Sequence, residues 1–300
     1  MAGGMRKAQS ELGTVLVLGG TGKTGRRVAS SLREQGVPVR VASRGSVTAP
    51  FDWNDATTWD GVLAGIESVY VTYSPDLAIP GATDAIRDFI ACAVQANVKR
   101  LVLLSGRGEE EAQRCEQIVQ ESGLEWIVVR ASWFSQNFSE GEFLEMVRAG
   151  AITLPATDVP EPFVDVDDIA DVAVAALIED GHNGEIYEVT GPRTLTFHEA
   201  AAEISRAAGR EVVFVPVSRE EFAAGVSESG VPSDIAWLLN YLFETVLDGR
   251  NAYLCDGVYR ALGRQPKDFS VFARQVADSG VWNASEDASV TEPEFEAVQK

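Results

Sequence analysis

Short apolar runs alternate with longer segments of helical composition over the first half of the chain. Unbroken runs of this kind are typical of strands that are buried on both faces of a sheet. The pattern predicts strands at 14–18, 37–42, 68–72, 99–104 and 124–129. It predicts helices between them at 22–35, 82–96 and 109–121. Elements in this order form βαβ units, so we expect an α/β fold with a doubly wound parallel sheet, which binds ligands beyond the carboxyl ends of its strands.

The alternation is less regular after residue 130. Helices are predicted at 139–149, 167–178 and 197–208, and over 218–248 with a break near 230–232. Strands are predicted at 185–190 and 211–215, with a proline-rich loop before them. The strand near 185–190 is expected to return to the parallel sheet. The rest of this half of the chain is expected to form a smaller C-terminal α/β lobe.

Charge narrows the classes of ligand. The chain has 25 Lys and Arg against 45 Asp and Glu, which gives a formal net charge of −20. A strongly negative surface repels nucleic acid and anionic lipid, so we expect neither as a partner. Residues 1–50 are the exception, with eight basic and two acidic residues. That local charge fits either a small anionic ligand or a solvated basic helix face.

Several kinds of site are disfavoured. The three cysteines form no CxxC motif, and the two histidines, His182 in a turn expected to be exposed and His198, lack partners at metal-ligand spacing, so no metal site is predicted. No apolar run approaches the roughly 18 residues of a membrane span. The first residues lack the apolar core of a secretory signal. We therefore expect a cytoplasmic protein, whose oligomeric state the sequence leaves open.

The segment Gly19-Gly20-Thr21-Gly22-Lys23-Thr24-Gly25 joins the first predicted strand to the first predicted helix. A phosphate can approach the backbone N–H groups at a helix N-terminus only where no Cβ blocks it. Gly19 permits a tight turn, Gly22 the close approach, and Gly25 the packing of helix on strand. The loop therefore predicts a dinucleotide pyrophosphate site, with the spacing GxxGxxG rather than GxGxxG.

The segment has two alternatives to a dinucleotide site. Gly22-Lys23-Thr24 resembles the end of a Walker A loop, but that motif needs a glycine five residues earlier, where Val17 lies inside the strand. A glycine-rich turn without a ligand is the other alternative. It is disfavoured because so many glycines are costly in conformational entropy without a use.

The end of the second strand favours NADP(H). An NAD site usually places Asp or Glu about 20 residues after the loop, to bind the ribose 2′-hydroxyl. Ser43-Arg44 stands there instead, and no acid lies between Glu34 and Asp52. A guanidinium suits a 2′-phosphate through paired, charge-assisted hydrogen bonds. A solvent-facing loop arginine is the alternative for Arg44.

Five stretches together resemble the NmrA-like group of atypical short-chain dehydrogenase/reductases. They are VLVLGGTGKTG, VRVASR, VKRLVLLSG, SGLEWIVVRASWFSQNF and EPFVDVDDIADVAVAAL. The resemblance implies a Rossmann domain that binds NADP(H) and a smaller lobe that covers the nicotinamide. Members of the group include quinone and azo reductases, enol-ether and enone reductases, and redox-sensing regulators without catalytic activity.

The resemblance also implies roles for individual residues. The phosphate loop comprises Gly19, Thr21, Gly22, Lys23, Thr24 and Gly25. The remaining coenzyme contacts are Ser43 and Arg44 at the 2′-phosphate, Asp52 beside adenine, and Tyr73 and Ser74 at the nicotinamide ribose. Ser105 ends the fourth strand. Ser132, Trp133, Phe134 and Asn137 line the substrate side. Trp133 and Phe163 are expected to face an apolar pocket for an aromatic acceptor.

One departure from the superfamily bears on mechanism. Its classical members use a Tyr-x-x-x-Lys pair to transfer a proton, but residues 107–122 contain neither Tyr nor Lys. Alcohol dehydrogenation is therefore disfavoured, whereas hydride transfer to a conjugated acceptor needs less help from a protein acid. Tyr73, Ser105 and Asn137 are the candidates to orient the carbonyl of such an acceptor.

The function predicted is an NADP(H)-dependent reductase of a quinone-like or enone-like small molecule. A non-catalytic NADP(H)-sensing regulator, and a biosynthetic isomerase or dehydratase on the same fold, are the alternatives. The predicted domains are a flexible leader at 1–12, an NADP-binding Rossmann domain at 13–150, a substrate lobe at 151–282 and a disordered acidic tail at 283–300.

Overall fold

The computed structural model describes residues 12–141, 143–156, 158–228 and 230–283. The predicted leader and tail lie outside the described residues except for Leu12 and Asn283. Among the described residues, no helix is long and apolar enough to cross a membrane. Cytoplasmic location stays a prediction.

Six parallel strands form the main sheet, and two more form a separate parallel pair. The strands are β1 Thr14–Leu18, β2 Val39–Ala42, β3 Ile66–Val71, β4 Arg100–Gly106, β5 Glu125–Ala131, β6 Ala151–Leu154, β7 Glu185–Val189 and β8 Val213–Pro216. The main sheet has the order β2-β1-β3-β4-β5-β7, and β6 pairs with β8. The predicted doubly wound α/β fold is confirmed, and the strand order reverses between β1 and β3, the place where such sheets bind ligands.

Twelve α-helices lie in the described part of the chain. They are α1 Lys23–Glu34, α2 Trp59–Leu63, α3 Ala82–Gln95, α4 Glu110–Gln120, α5 Asn137–Glu140, α6 Leu144–Ala149, α7 Val166–Ile178, α8 Phe197–Ala208, α9 Arg219–Glu228, α10 Ser233–Tyr241, α11 Gly257–Leu262 and α12 Phe269–Ser279. Because alternate strand residues point to opposite faces, Val15 and Val17 pack under α1, α7 and α11, while Leu16 and Leu18 pack under α2, α3 and α4.

A smaller lobe has its own aromatic core. Its core is formed by side chains from α5, α6, α8, α12 and the β6–β8 pair, centred on Phe138, Phe163 and Phe197. Three elements from the C-terminal half, α7, β7 and α11, belong instead to the main sheet and its covering layer. The chain therefore crosses between sheet and lobe several times, and the exact domain limits stay a prediction.

The structure differs from the sequence-based elements at several points. Two short helices, α5 and α6, replace the helix expected at 139–149. The break lies at Gly141, whose extended backbone passes so close to Lys23 that a Cβ there would lie 2.5 Å from Nζ. The expected proline loop is preceded by strand β6. His182 was expected in an exposed turn, but it is 3% exposed, with Nδ1 2.7 Å from the Tyr187 hydroxyl.

Candidate functional site

Two adjoining cavities open at the carboxyl edge of the main sheet. The larger is a cleft of about 740 Å³ between the β1 and β2 ends and the β3 end. The smaller, of about 280 Å³, lies between the β4 and β5 ends and the lobe. Five residues border both cavities: Lys23, Tyr73, Pro75, Leu104 and Phe134. A ligand in the cleft and a ligand in the smaller cavity can therefore meet at this shared border.

The cleft brings together nearly all the residues predicted to bind a coenzyme. The predicted residues that line it are Gly19, Thr21, Gly22, Lys23, Thr24, Ser43, Arg44, Asp52, Tyr73 and Ser74. Gly25 is buried behind the loop and does not line the cleft. A Cβ at Gly25 would lie 2.3 Å from the Gly19 carbonyl oxygen, so glycine there lets α1 approach the loop.

The glycine loop presents an uncapped helix N-terminus to the cleft. Gly19 has a left-handed φ of +62°, which turns the chain sharply after β1, and its carbonyl accepts the Gly22 N–H at 2.8 Å. Gly22 precedes α1 without a side-chain cap, and the first turn holds no acidic residue. Free backbone N–H groups and the positive end of the helix dipole suit a pyrophosphate, so the loop fits a dinucleotide.

The far end of the cleft holds an exposed cation. Arg44 makes no hydrogen bond or ion pair with any residue that the structure describes. The Ser43 carbonyl accepts the N–H groups of Ser46 and Phe51, both at 3.1 Å, which fixes the turn that carries Arg44. The backbone turn that carries Arg44 is therefore fixed, and the guanidinium can donate to a ligand in the cleft.

Aromatic residues form the wall beneath the cleft. The Trp53 ring lies tilted against the Tyr73 ring, with centroids 4.9 Å apart, and its Nε1 donates to the Thr72 carbonyl at 3.1 Å. The sequence analysis did not single out Trp53. Its place directly after Asp52 was the available signal, because flat side chains commonly flank the rings of bound nucleotides.

The smaller cavity is walled mainly by apolar side chains. From the sheet edge and the segment after it come the predicted residues Ser105, Ser132, Trp133, Phe134 and Asn137. From the lobe come Phe143, Ile235, Leu238, Leu239 and Leu242. The Trp133 ring is fixed edge-on against Phe197, with centroids 5.8 Å apart. The arrangement leaves a narrow apolar space beside the shared border.

Phe163 does not face this cavity, which corrects the sequence-based expectation. It is 2% exposed and packs edge-on against Phe197, with ring centroids 5.2 Å apart, inside the lobe core. The segment that carries Phe163 runs beneath Gly191, where a Cβ would lie 2.2 Å from the Phe163 carbonyl oxygen. Tight backbone packing therefore points this ring into the core rather than toward the cavity.

The three predicted carbonyl-orienting residues differ in what they can offer. The Ser105 hydroxyl donates to Glu116 Oε1 at 2.5 Å, so its proton is already committed. The Asn137 side-chain oxygen accepts Lys23 Nζ at 2.9 Å, which leaves only the amide N–H groups for a ligand. Tyr73 borders both cavities, and burial followed by nearby Cys115 raises its pKa. Of the three, only Tyr73 and Asn137 retain a donor for an acceptor.

Four titratable residues of the smaller cavity were missed by the sequence analysis: Asp76, Arg107, Glu109 and Glu161. Glu109 and Glu161 are 6% and 1% exposed. Burial, then the charge and hydrogen bond of Asp76, then the charge of Glu116 raise the pKa of Glu109 well above its usual value. The signal was the position of Arg107 and Glu109 immediately after β4, where parallel sheets place functional side chains.

The pKa of Glu161 is set by burial and by contacts that oppose the effect of burial. Burial raises it to about 7, against opposing effects from Arg107, the Trp133 N–H and the Ser132 side chain. All three opposing contacts favour the carboxylate, whereas the neighbours of Glu109 disfavour it. The cavity therefore holds one carboxyl whose surroundings favour its protonated form and one that titrates near neutral pH.

Residues 19–180 match the model of a family described as NAD(P)H-binding. Relatives of known name match this chain over nearly the whole of their own length. The NAD(P)H azoreductase of Xenophilus azovorans is 31% identical over 87% of this chain and 96% of its own. Agroclavine dehydrogenase of Claviceps fusiformis is 32% identical over 90% and 98%. Prestalk A differentiation protein A of Dictyostelium discoideum is 30% identical over 87% and 92%.

Solved structures share the fold. The NADPH-dependent quinone oxidoreductase of Escherichia coli, complexed with NADPH, superposes with a TM-score of 0.73 at 21% identity, covering 87% of this chain and 99% of that one. The triphenylmethane reductase of Citrobacter sp., complexed with NADP(H), gives 0.70 at 21% identity over 88% and 99%.

Proposed function

Because the chain belongs to the NAD(P)H-binding family and is an NAD(P)H-dependent oxidoreductase, we propose that it reduces a conjugated, aromatic or quinone-like small molecule with NADPH. One observation carries the proposal: an apolar cavity opens directly into the coenzyme cleft across a shared border. Such a junction lets an acceptor lie against the coenzyme with water excluded.

The residues of the cleft fit NADPH along its length. The N-terminus of α1 and the glycine loop would hold the pyrophosphate, and Arg44 the 2′-phosphate. Asp52 and Trp53 would flank the adenine half, and Tyr73 with Ser74 the nicotinamide half. Bound NADPH supplies a hydride, and the chain supplies orientation and a dry environment.

The cavity suits a flat and largely apolar acceptor. Its volume of about 280 Å³ is at the lower end of the range for small-molecule sites. Trp133, Phe134, Leu238 and Leu242 supply flat and apolar surface to its wall. The azo, quinone, triphenylmethane and clavine names of the relatives and fold neighbours describe conjugated or aromatic compounds, which supports this class of substrate.

The test is NADPH oxidation, followed by its absorbance, with a panel of quinones, azo dyes, enones and cationic triarylmethyl dyes. We expect turnover with at least one acceptor and little activity with simple alcohols and NADP⁺. Trp133→Ala is expected to raise the KM for the acceptor several-fold without changing NADPH affinity. Trp237→Ala is the matched control, because Trp237 is exposed on α10 and does not line the cavity.

Two outcomes would overturn this function. Tight NADPH binding with no turnover on any acceptor would favour the regulatory alternative. Product formation without net oxidation of NADPH would favour the isomerase or dehydratase alternative.

A further inference from the structure

A pair of carboxyl groups forms part of the wall of the smaller cavity. Asp76 lies in the loop after β3, where its Oδ1 accepts the Ala78 N–H at 2.8 Å. Glu109 precedes α4 but does not cap it, and it lines the same cavity as Asp76. Gly106 makes this possible, since a Cβ there would lie 2.2 Å from Glu109 Oε1. The backbone is thus shaped around the Glu109 carboxyl.

Two neighbouring carboxyl groups disfavour each other's negative charge, which favours a proton on one of them. Glu109 is the better site for that proton because it is almost fully buried, whereas Asp76 is partly exposed and receives a backbone N–H. Glu109 Oε2 is buried and has no hydrogen-bond partner among the described residues. Glu109 therefore carries a buried oxygen that no donor stabilises as a carboxylate.

The charged groups around Glu109 come from every element that packs near it. Asp76 faces it from the β3–α3 loop, Glu116 from α4 and Tyr241 from α10. Glu116 is itself neutralised by an ion pair with Arg130 on β5. The other charged residues that line the cavity are Lys23, Arg107 and Glu161. Lys23 is hydrogen-bonded to Asn137, and Arg107 to Ser132 and the Asn251 and Tyr253 carbonyls, so neither cation is directed at Glu109.

We propose that Glu109, which lines the cavity beside Asp76, is the acid that protonates the acceptor during its reduction. This inference rests on the proposed reductase function and takes the role that a Tyr-x-x-x-Lys pair fills in classical members of the superfamily. Tyr73 borders the same cavity, but residues 107–122 contain no lysine that could lower its pKa.

The step balances for a neutral azo compound. One nitrogen gains the hydride that reduced nicotinamide supplies, and the N=N double bond becomes a single bond. The electron pair left on the second nitrogen takes the proton of Glu109, which becomes a carboxylate. The products are a hydrazine and oxidised coenzyme, and Glu109 regains a proton from solvent before the next turnover.

Glu161 is the other buried acid in the cavity, and its contacts disfavour the same role. Its Oε1 accepts the Trp133 N–H, and Arg107 and Ser132 lie beside it. These contacts stabilise a carboxylate and occupy its oxygens. Glu109 Oε2 has no such donor among the described residues, and Glu109 lines the cavity.

The experiment compares two acceptors that differ in their need for a proton. A neutral azo dye needs hydride and a proton, whereas a cationic triarylmethyl dye becomes a neutral product by gaining hydride alone. Glu109→Gln keeps the size and charge of a protonated glutamate but cannot release a proton. Glu110→Gln is the matched control, because Glu110 is adjacent and its side chain is 80% exposed.

We expect Glu109→Gln to lower the kcat for the azo dye by about 100-fold or more, the range of general acid catalysis, while the cationic dye is reduced at close to the wild-type rate. Retained activity on the cationic dye also shows that the variant folds and binds NADPH. Equal activity of wild type and Glu109→Gln on both dyes would overturn the proposal. So would a selective loss of azo reduction in Glu161→Gln but not in Glu109→Gln.

The pH dependence of the two reductions is a second test of the proposal. The acid must be protonated to act, so azo reduction is expected to fall as pH rises through the pKa of the pair, while reduction of the cationic dye shows no such limb. Asp76→Asn removes the negative charge that favours the protonated form, so it is expected to move this limb to lower pH. A limb that does not move in Asp76→Asn would contradict the assignment to the pair.

A measurement without turnover separates this inference from the proposed function. The infrared spectrum of the coenzyme-free wild-type protein at neutral pH should contain a protonated-carboxyl C=O band. The wild-type minus Glu109→Gln difference spectrum should show this band, and the wild-type minus Glu110→Gln difference spectrum should not. If wild type reduces neither dye nor any other acceptor of the panel, the proposed function fails, and this band still decides whether Glu109 holds a proton. Absence of the band would overturn the proposal whatever the acceptors show.

Discussion

At the scale of single residues, Arg44 is the group on which coenzyme choice depends. Its side chain is exposed at the cleft and makes no described contact, while the turn beneath it is fixed by two backbone hydrogen bonds to Ser43. The planar guanidinium fork matches a phosphate and can donate paired hydrogen bonds to it. NADPH and NADH differ only in that phosphate, so the selectivity between them should depend on this side chain.

We predict that Arg44→Ala weakens NADPH binding by roughly 10- to 100-fold, since a charged hydrogen-bonding contact contributes about 1.5–3 kcal/mol. The affinity for NADH should change much less. Isothermal titration with both coenzymes measures this, with Arg33→Ala on α1 as an exposed control. Parallel losses for both coenzymes would show that Arg44 does not contact the 2′-phosphate.

At the scale of elements, helix α12 depends on the residue before it. Asp268 caps the helix by accepting the Ser270 N–H at 2.8 Å and pairs with Arg193 Nε at 2.7 Å. Arg193 also pairs with Glu203 on α8, so one guanidinium joins two lobe helices. The hydrogen bond from Arg193, followed by those from Ser270, holds the pKa of Asp268 well below its usual value.

We predict that Asp268→Asn lowers the free energy of unfolding by about 1 kcal/mol at pH 7, because the cap remains while the partly exposed ion pair is lost. Asp268→Ala should cost about 1 kcal/mol more, since the cap is lost too.

A lowered carboxyl pKa stabilises the fold above the unfolded value and loses that effect as pH falls. The gap between wild type and Asp268→Asn should therefore narrow below about pH 4. Urea denaturation across this range measures it, and a gap that widens with acid would contradict the ion-pair assignment.

At the scale of the whole molecule, Arg27 joins the coenzyme-binding half to the lobe. From α1, just behind the glycine loop, its Nη2 lies 2.6 Å from Glu140 on α5, and its Nε lies 2.7 Å from Asp167 on α7. Burial raises the pKa of Glu140, but Arg27 and Arg26 outweigh it and hold that pKa below its usual value. The lobe that walls the substrate cavity is thereby tied to the helix that begins at the phosphate loop.

We predict that Arg27→Gln lowers the free energy of unfolding by about 1–3 kcal/mol, because Glu140 and Asp167 each lose one of two cationic partners in a half-buried place. It should also raise the KM for the acceptor, since α5 carries Asn137 at the cavity. Arg26→Gln is the matched control, because Arg26 is more exposed and pairs only with Glu140 among the described residues. Equal effects of the two substitutions would contradict a joining role for Arg27.

The amino-acid sequence by itself determined the sheet and the glycine loop. Both depend on local properties: apolar runs short enough for buried strands, and glycines where backbone must approach phosphate. Arg44 was found in the same way, because the residue at the end of β2 is fixed by counting along one βαβ unit.

Only the tertiary structure decided which acidic groups meet in the substrate cavity. Glu109 meets Asp76 because β3 and β4 are neighbours in the sheet, and Gly106 leaves space for the carboxyl. Phe163 was wrongly expected there, because its hydrophobicity suits a core as well as a pocket and only packing separates the two. Side chains far apart in sequence acquire their chemistry from neighbours that no local pattern encodes, so the acid pair could not be read from composition or spacing.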